Sequence, residues 1–205
     1  SQSQTVNYLG MHLDNTLSYD QHVLKLGSKI SKILGTLSTV RHMMPLNVRK
    51  KVYKALVFPH LTYCINIWSS TTEHNIKLME ILLNRIIRHM LMVKRRDMHT
   101  TDLYRVSDVP KFRQLALYYS CISAFKLIKG FVNIDIHLPP RNDQIHAYPT
   151  RRSNHFQPIP ISNNNKKKAP SYIYSESWNA LPDNLKVANS ISSFKRSLKL
   201  YLQTQ

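Results

Sequence analysis

Residues 18–44 read SYDQHVLKLGSKISKILGTLSTVRHMM. Val23, Leu26, Ile30, Ile33, Leu37, Val40 and Met44 follow one another in alternating steps of three and four, the spacing of a single apolar stripe on a helix. Ser18 and Gln21 stand as an S-x-x-Q capping box at its start, and Pro45 ends it. Away from the stripe, His22, Lys25, Lys29, Lys32 and Thr36 form a line with no acid after Asp20. The predicted element is a helix with one side for a core and one cationic side. Such a helix can pack on protein while following a phosphate backbone, although a solvated lysine face has the same pattern.

The rest of the chain repeats this theme. Thr72 is placed to cap a long helix from Glu73 to about Val93, with Ile76, Met79, Leu83, Ile86, Met90 and Val93 as its stripe. Two such stripes in 205 residues predict a helical bundle. Between them, Asn47 is a candidate cap for a helix with Val48, Val52 and Leu56, and Pro59 introduces a short buried helix reaching Trp68. Ahead of everything, TVNYLGMHL (5–13) reads as a strand or hairpin arm, bent at Gly10, where glycine permits close backbone approach. A start at Ser1 in strand-like sequence predicts a fragment. Thr100 or Thr101 opens a short helix. Pro110 opens another, carrying Phe112, Leu115, Tyr119, Ile122 and Phe125 and ending at Gly130.

Seven of the ten prolines then fall between Pro139 and Pro182, with NNNKKK at 163–168, which predicts an extended basic linker over 137–170. A short packed helix follows around Trp178, and Ser190 caps a final one with Phe194, Leu198 and Leu202. The expected organisation is therefore a short β segment (1–17), a helical bundle (18–97), further helices (98–136), the linker (137–170) and a C-terminal helical part (171–205). The fold class is mainly α.

Charge narrows the function. Lys and Arg number 29 against 11 Asp and Glu, a net charge of +18, which calls for a polyanionic partner. No run approaches the ~18 apolar residues of a membrane span, so no membrane partner is expected. Cys64 and Cys121, the two cysteines, sit in apolar runs and read as buried free thiols. The 11 acids include no D-D, D-x-D or D-x-x-E, and neither a glycine-rich phosphate loop nor a G-x-S-x-G motif occurs. Catalysis by this chain alone is not expected. Besides Lys25, Ser28, Lys29 and Lys32, the basic candidates for nucleic-acid contact are Arg85, Arg88, Lys94, Arg95 and Arg96 at the end of the second long helix, and Lys166, Lys167 and Lys168 in the linker. Arg85 and Arg88, with Asn84, could equally brace the bundle.

The order of these features resembles a known family. Tyr8-Leu9-Gly10, then Leu17-Ser18-Tyr19-Asp20-Gln21-His22, then Ile30-Ser31-Lys32 is similar to the end of the palm and the thumb of non-LTR (LINE-type, Jockey- or CR1-like) retrotransposon reverse transcriptases. Tyr53-x-Ala55-Leu56-Val57-x-Pro59-x-Leu61-x-Tyr63, Trp68 and Asn84-Arg85-x-x-Arg88 extend the likeness. Trp178-Asn179-x-Leu181-Pro182 and Ser193-Phe194-Lys195-x-x-Leu198-Lys199 resemble the ends of such polyproteins. The Y/F-A-D-D motif, the fingers, an endonuclease domain and a CCHC knuckle are missing from this sequence. The resemblance implies a thumb and post-thumb piece of an RNA-directed DNA polymerase. Tyr8, Leu9 and Gly10 would belong to the primer grip, and the first helix would lie along an RNA–DNA template–primer duplex. Its partners would be RNA template, DNA primer and the missing fingers and palm. Any magnesium would be held by that palm, so no cofactor is expected here, and the setting would be the nucleus and a cytoplasmic ribonucleoprotein. A stand-alone basic helical module that binds nucleic acid or protein is the competing reading.

Overall fold

The computed structural model describes residues 5–145, 153–162 and 166–203 and divides into two compact units, Ser1–Leu115 and Ala116–Gln205. As expected, it is mainly helical with a small β element at the start. Strands β1 (Thr5–Tyr8) and β2 (Met11–Asp14) pair antiparallel, Val6 opposite Leu13 and Tyr8 opposite Met11. Leu9 (φ 48°) and Gly10 (φ 80°) form the two-residue turn between them, both left-handed as a primed hairpin turn requires. Glycine is explained here by that dihedral. A Cβ at Gly10 would meet only Tyr63 Cε1, at 4.0 Å, so close approach is not the reason.

Asp14 closes the hairpin and launches the first helix. Its carboxylate accepts the backbone N–H of Thr16, Ser18 and Tyr19. Burial pushes its pKa up, but these bonds and the Thr16 and Ser18 hydroxyls outweigh that and hold it at about 2. Helix α1 (Asp20–Val40) follows a left-handed Tyr19 and has no side-chain N-cap bond, so the Ser18–Gln21 capping box does not form. Ser18 Oγ accepts instead from Asp20 N at 3.3 Å, while Asp14 orders the turn. A 3₁₀ turn (Arg41–Met43) extends α1, and Met44 becomes extended before Pro45.

The stripe on α1 also differs from a strict three-four series. Val23, Leu26, Ile30, Leu34 and Leu37 are buried, whereas Ile33 is half-buried and Val40 is 43% exposed. The series 23, 26, 30, 33, 37, 40, 44 has a period of 3.5. A straight helix turns every 3.6 residues, so the buried face drifts by about 20° per heptad and reaches Leu34. The same ridge of i+4 steps (22, 26, 30, 34) takes His22 inward.

Helices α2 (Leu46–Leu56), α3 (Phe58–Thr62) and α4 (Ile65–Trp68) follow. The N-cap of α2 is Pro45, not Asn47. Pro59 lies in the first turn of α3, and left-handed Cys64 (φ 50°) splits the expected helix into two short ones. That joint leaves the Cys64 thiol only half-buried. Tyr63 closes it on both sides, donating its hydroxyl to Leu9 O at 2.7 Å and receiving Trp68 Nε1 at its carbonyl at 2.8 Å. Helix α5 (Glu73–Leu91) begins where Thr72 Oγ1 accepts from Asn75 N, as read from the sequence, and ends on left-handed Met92. Buried Asn75 reaches from α5 to Ser18 O and Asp20 Oδ1 at the start of α1. Helix α6 (Thr100–Ser107) completes this part, and α7 (Phe112–Ile128) runs across the boundary of the two units.

In the second unit, Cys121, Phe125, Phe156, Trp178, Phe194 and Leu198 belong to one core cluster, with the Phe125 and Phe194 rings stacked at 4.3 Å. Burial pushes the Cys121 thiol up to about 12, so it stays a neutral packing group. Helix α8 (Asn142–Ile145) and a 3₁₀ turn (Lys166–Lys168) precede α9 (Pro170–Asn179), α10 (Asp183–Lys186) and α11 (Ile191–Gln203). Ser190 Oγ accepts from Ser193 N at 3.1 Å, the expected N-cap of α11.

The described part of 137–170 is not simply extended. Asn179 Oδ1 accepts from Phe156 N (2.8 Å) and its Nδ2 donates to Phe156 O (3.0 Å), pinning a buried Phe156, and Trp178 Nε1 donates to Asn154 O. These anchors are long-range pairings, which the proline-rich composition around them does not announce. Asn163, Asn164 and Asn165 of the NNNKKK run lie outside the described residues.

Candidate nucleic-acid interface

Helix α1 packs on α5, and this pairing decides which of its side chains stay outside. Lys25, Ser28, Lys29 and Lys32 are all exposed. The helix rises ~1.5 Å per residue, so the three lysines run over ~10 Å of its length on one side. Lys25 Nζ approaches His12 Nδ1 of β2 at 3.4 Å, and Lys29 is near enough to His60 to lower its pKa further after burial has done most of the work. His22 does not belong to this line. It is 7% exposed and sits between His12 (ring centroids 6.4 Å) and Trp68 (5.4 Å), with its pKa lowered by burial and by His12. Its ring is a neutral core group.

The basic cluster at the end of α5 separates into three roles. Arg88 Nη1 donates to Lys94 O and Met98 O, both at 3.0 Å, and folds the loop after α5 back on the helix. The last carbonyls of α5 are met from other segments, His89 O by Arg41 and Met90 O by Arg49. These cations answer the negative end of the helix. Sequence reasoning missed Arg41 and Arg49, because only the packing brings them to α5. Arg85 is exposed and donates to Ser31 Oγ of α1 at 3.0 Å. Lys94, Arg95 and Arg96 are exposed, Arg96 beside Asp97 at 3.7 Å, a solvent-screened pair of little consequence.

Several of these groups border a cleft of about 530 Å³ whose lining, among the described residues, includes Arg41, Asn84, Arg85, Arg88, His89 and Arg95 and no carboxylate. His89 is held by Ser38 Oγ at Nε2 (2.7 Å) and by the Tyr53 hydroxyl at Nδ1. Burial first, then the Arg41 and Arg85 charges, lower its pKa to about 4. The positive charge of the cleft at neutral pH is thus guanidinium alone. An NMR titration of the His89 ring is expected to show a midpoint near 4, and one near 6.5 would contradict this arrangement. Because the folded pKa lies below the ordinary value of ~6.5, stability from this group is full above that pH and declines as pH falls toward 4.

At the hairpin turn, Tyr8 and Leu9 are 63% and 74% exposed. Gly10, Tyr8 and Leu9 thus stand clear at a turn whose carbonyl is fixed by Tyr63. Lys166 and Lys167 are exposed in the second unit and Lys168 is half-buried. Among the described residues, no group of three or more His, Cys, Asp or Glu could hold a metal ion. No helix among them is long and apolar enough to cross a membrane.

Fold and surface together define a basic helical protein with one long cationic helix face and one arginine-lined cleft. Part of the chain is similar to a Drosophila melanogaster protein described as a probable RNA-directed DNA polymerase from transposon X-element, 29% identical over 91 residues. That match covers 42% of this chain and 10% of the fly protein. No protein-family model matches the chain, and no solved structure matches it.

Proposed function

We propose that this chain is a polymerase-related piece, the thumb and post-thumb part of a non-LTR retrotransposon RNA-directed DNA polymerase, and that α1 rests on an RNA–DNA template–primer duplex. The single observation that carries this reading is the exposed line of Lys25, Ser28, Lys29 and Lys32 on a helix whose other side is core. A likeness to a transposon polymerase over 42% of the chain supports the same origin. Lysines on one helix face neutralise phosphates without reading bases, and a hybrid of A-like form offers a wide, shallow groove to small and cationic side chains. The turn at Tyr8, Leu9 and Gly10 would act near the primer end. Lys94, Arg96 and Lys166–Lys168 would add loose phosphate contacts. Fingers and palm of the same polyprotein would be the protein partners, with any magnesium held by the palm, in the nucleus and in a cytoplasmic ribonucleoprotein.

The test is binding of a blunt RNA–DNA hybrid by the full chain as salt is raised. The expected result is sequence-indifferent affinity that falls with a log–log slope of about −3 or steeper, since each neutralised phosphate contributes ~0.9. Affinity indifferent to salt refutes the reading. In a primer-extension assay on an RNA template, this chain alone is expected to add no nucleotides.

A further inference from the structure

The arginine-lined cleft differs in kind from the α1 face, because it is concave and partly apolar. Arg88 and Arg41 are fixed by main-chain carbonyls and form its walls, with no carboxylate to neutralise them. Arg85 and Arg95 are exposed at its border, and Arg85 gives Nη1 to Ser31, one of the five donors on its guanidinium. Ile81, 64% exposed, and Val93 supply apolar wall beside these cations. Asn84 also lines the cleft, and its Oδ1 is buried without a hydrogen-bond partner. That oxygen is closed off from solvent, so it offers no contact to a ligand, and recognition in the cleft falls to the guanidinium groups and the apolar wall.

A double helix keeps its bases stacked inside and offers a convex backbone, which fits the α1 face. A concavity with guanidinium groups beside apolar wall fits a phosphate together with an unstacked base. From this we infer that the cleft seats one unpaired nucleotide of a single-stranded extension, with its phosphate on Arg85 and Arg95 and its base against Ile81 and Val93. The inference rests on the reading that this chain binds nucleic acid, and it adds a second, single-strand subsite to the duplex face.

Fluorescence anisotropy with the full chain tests it, using four probes: a blunt RNA–DNA hybrid, the same hybrid with a short RNA extension, with a short DNA extension, and with an abasic extension. An RNA or DNA extension is expected to tighten binding about tenfold, and the abasic one to give less than half of that gain. The R85Q/R95Q double variant changes two exposed side chains, and circular dichroism verifies that it folds. It is expected to lose the extension-dependent gain, so that extended and blunt probes bind it with equal affinity, whatever the two lost charges cost the blunt hybrid. No gain from either extension overturns the inference, as does a full gain from the abasic probe. So does an equal loss for blunt and extended probes in R85Q/R95Q. The K25E/K29E/K32E variant separates the two readings. Weakening of the blunt hybrid with the extension ratio preserved supports both, whereas unchanged blunt binding removes the duplex reading and leaves the cleft to be judged on the ratio.

Discussion

Replacing Lys25, Lys29 and Lys32 together by glutamate is expected to lower hybrid affinity at least about 100-fold at low salt and to flatten the log–log salt slope by about 3. All three side chains are exposed, and none supports the core beneath, where Val23, Leu26, Ile30, Leu34 and Leu37 are buried. The unfolding transition of the variant should therefore stay close to that of the parent, since exposed substitutions away from caps and buried networks typically change stability by less than about 0.5 kcal/mol. Removing six units of charge in a row also predicts slower association, because steering depends on the local field. Unchanged affinity in a folded triple variant would take the duplex away from α1.

Trp68→Ala should produce the largest loss of stability in the first unit. Trp68 is fully buried, lies tilted against Phe112 (ring centroids 5.3 Å) and His22 (5.4 Å), and donates Nε1 to Tyr63 O at 2.8 Å. Deleting a buried indole costs about 3–5 kcal/mol, a large share of the ~5–15 kcal/mol of an ordinary domain. Trp68→Phe keeps most of the packing but leaves the Tyr63 carbonyl without its donor, for a smaller loss of about 1–3 kcal/mol. Denaturant midpoints read both effects. Equal midpoints for the phenylalanine variant and the parent would show that the indole N–H contributes nothing. The same joint carries Tyr63 to the hairpin turn, so Trp68→Ala should also loosen the Leu9 carbonyl contact.

Local chemistry was legible in the residues themselves. The caps Thr72 and Ser190, the stops at Pro45 and Gly130, the turn at Leu9-Gly10 and the apolar stripes of α1 and α5 each depend on neighbours within a few positions, so the sequence alone determined a mainly helical protein with a short β element. Its net charge of +18 likewise set a strongly basic molecule, for which a polyanion is the proposed partner. Phase and pairing needed the tertiary structure. A 3.6-residue turn moved the buried ridge to Leu34 and drew His22 against Trp68. Packing also delivered Arg41 and Arg49 to the last carbonyls of α5, set Arg88 to bracing its loop, and clamped Phe156 on Asn179. These contacts join residues tens of positions apart. Which cation is left facing solvent depends on what else folds over it, and no local pattern records that.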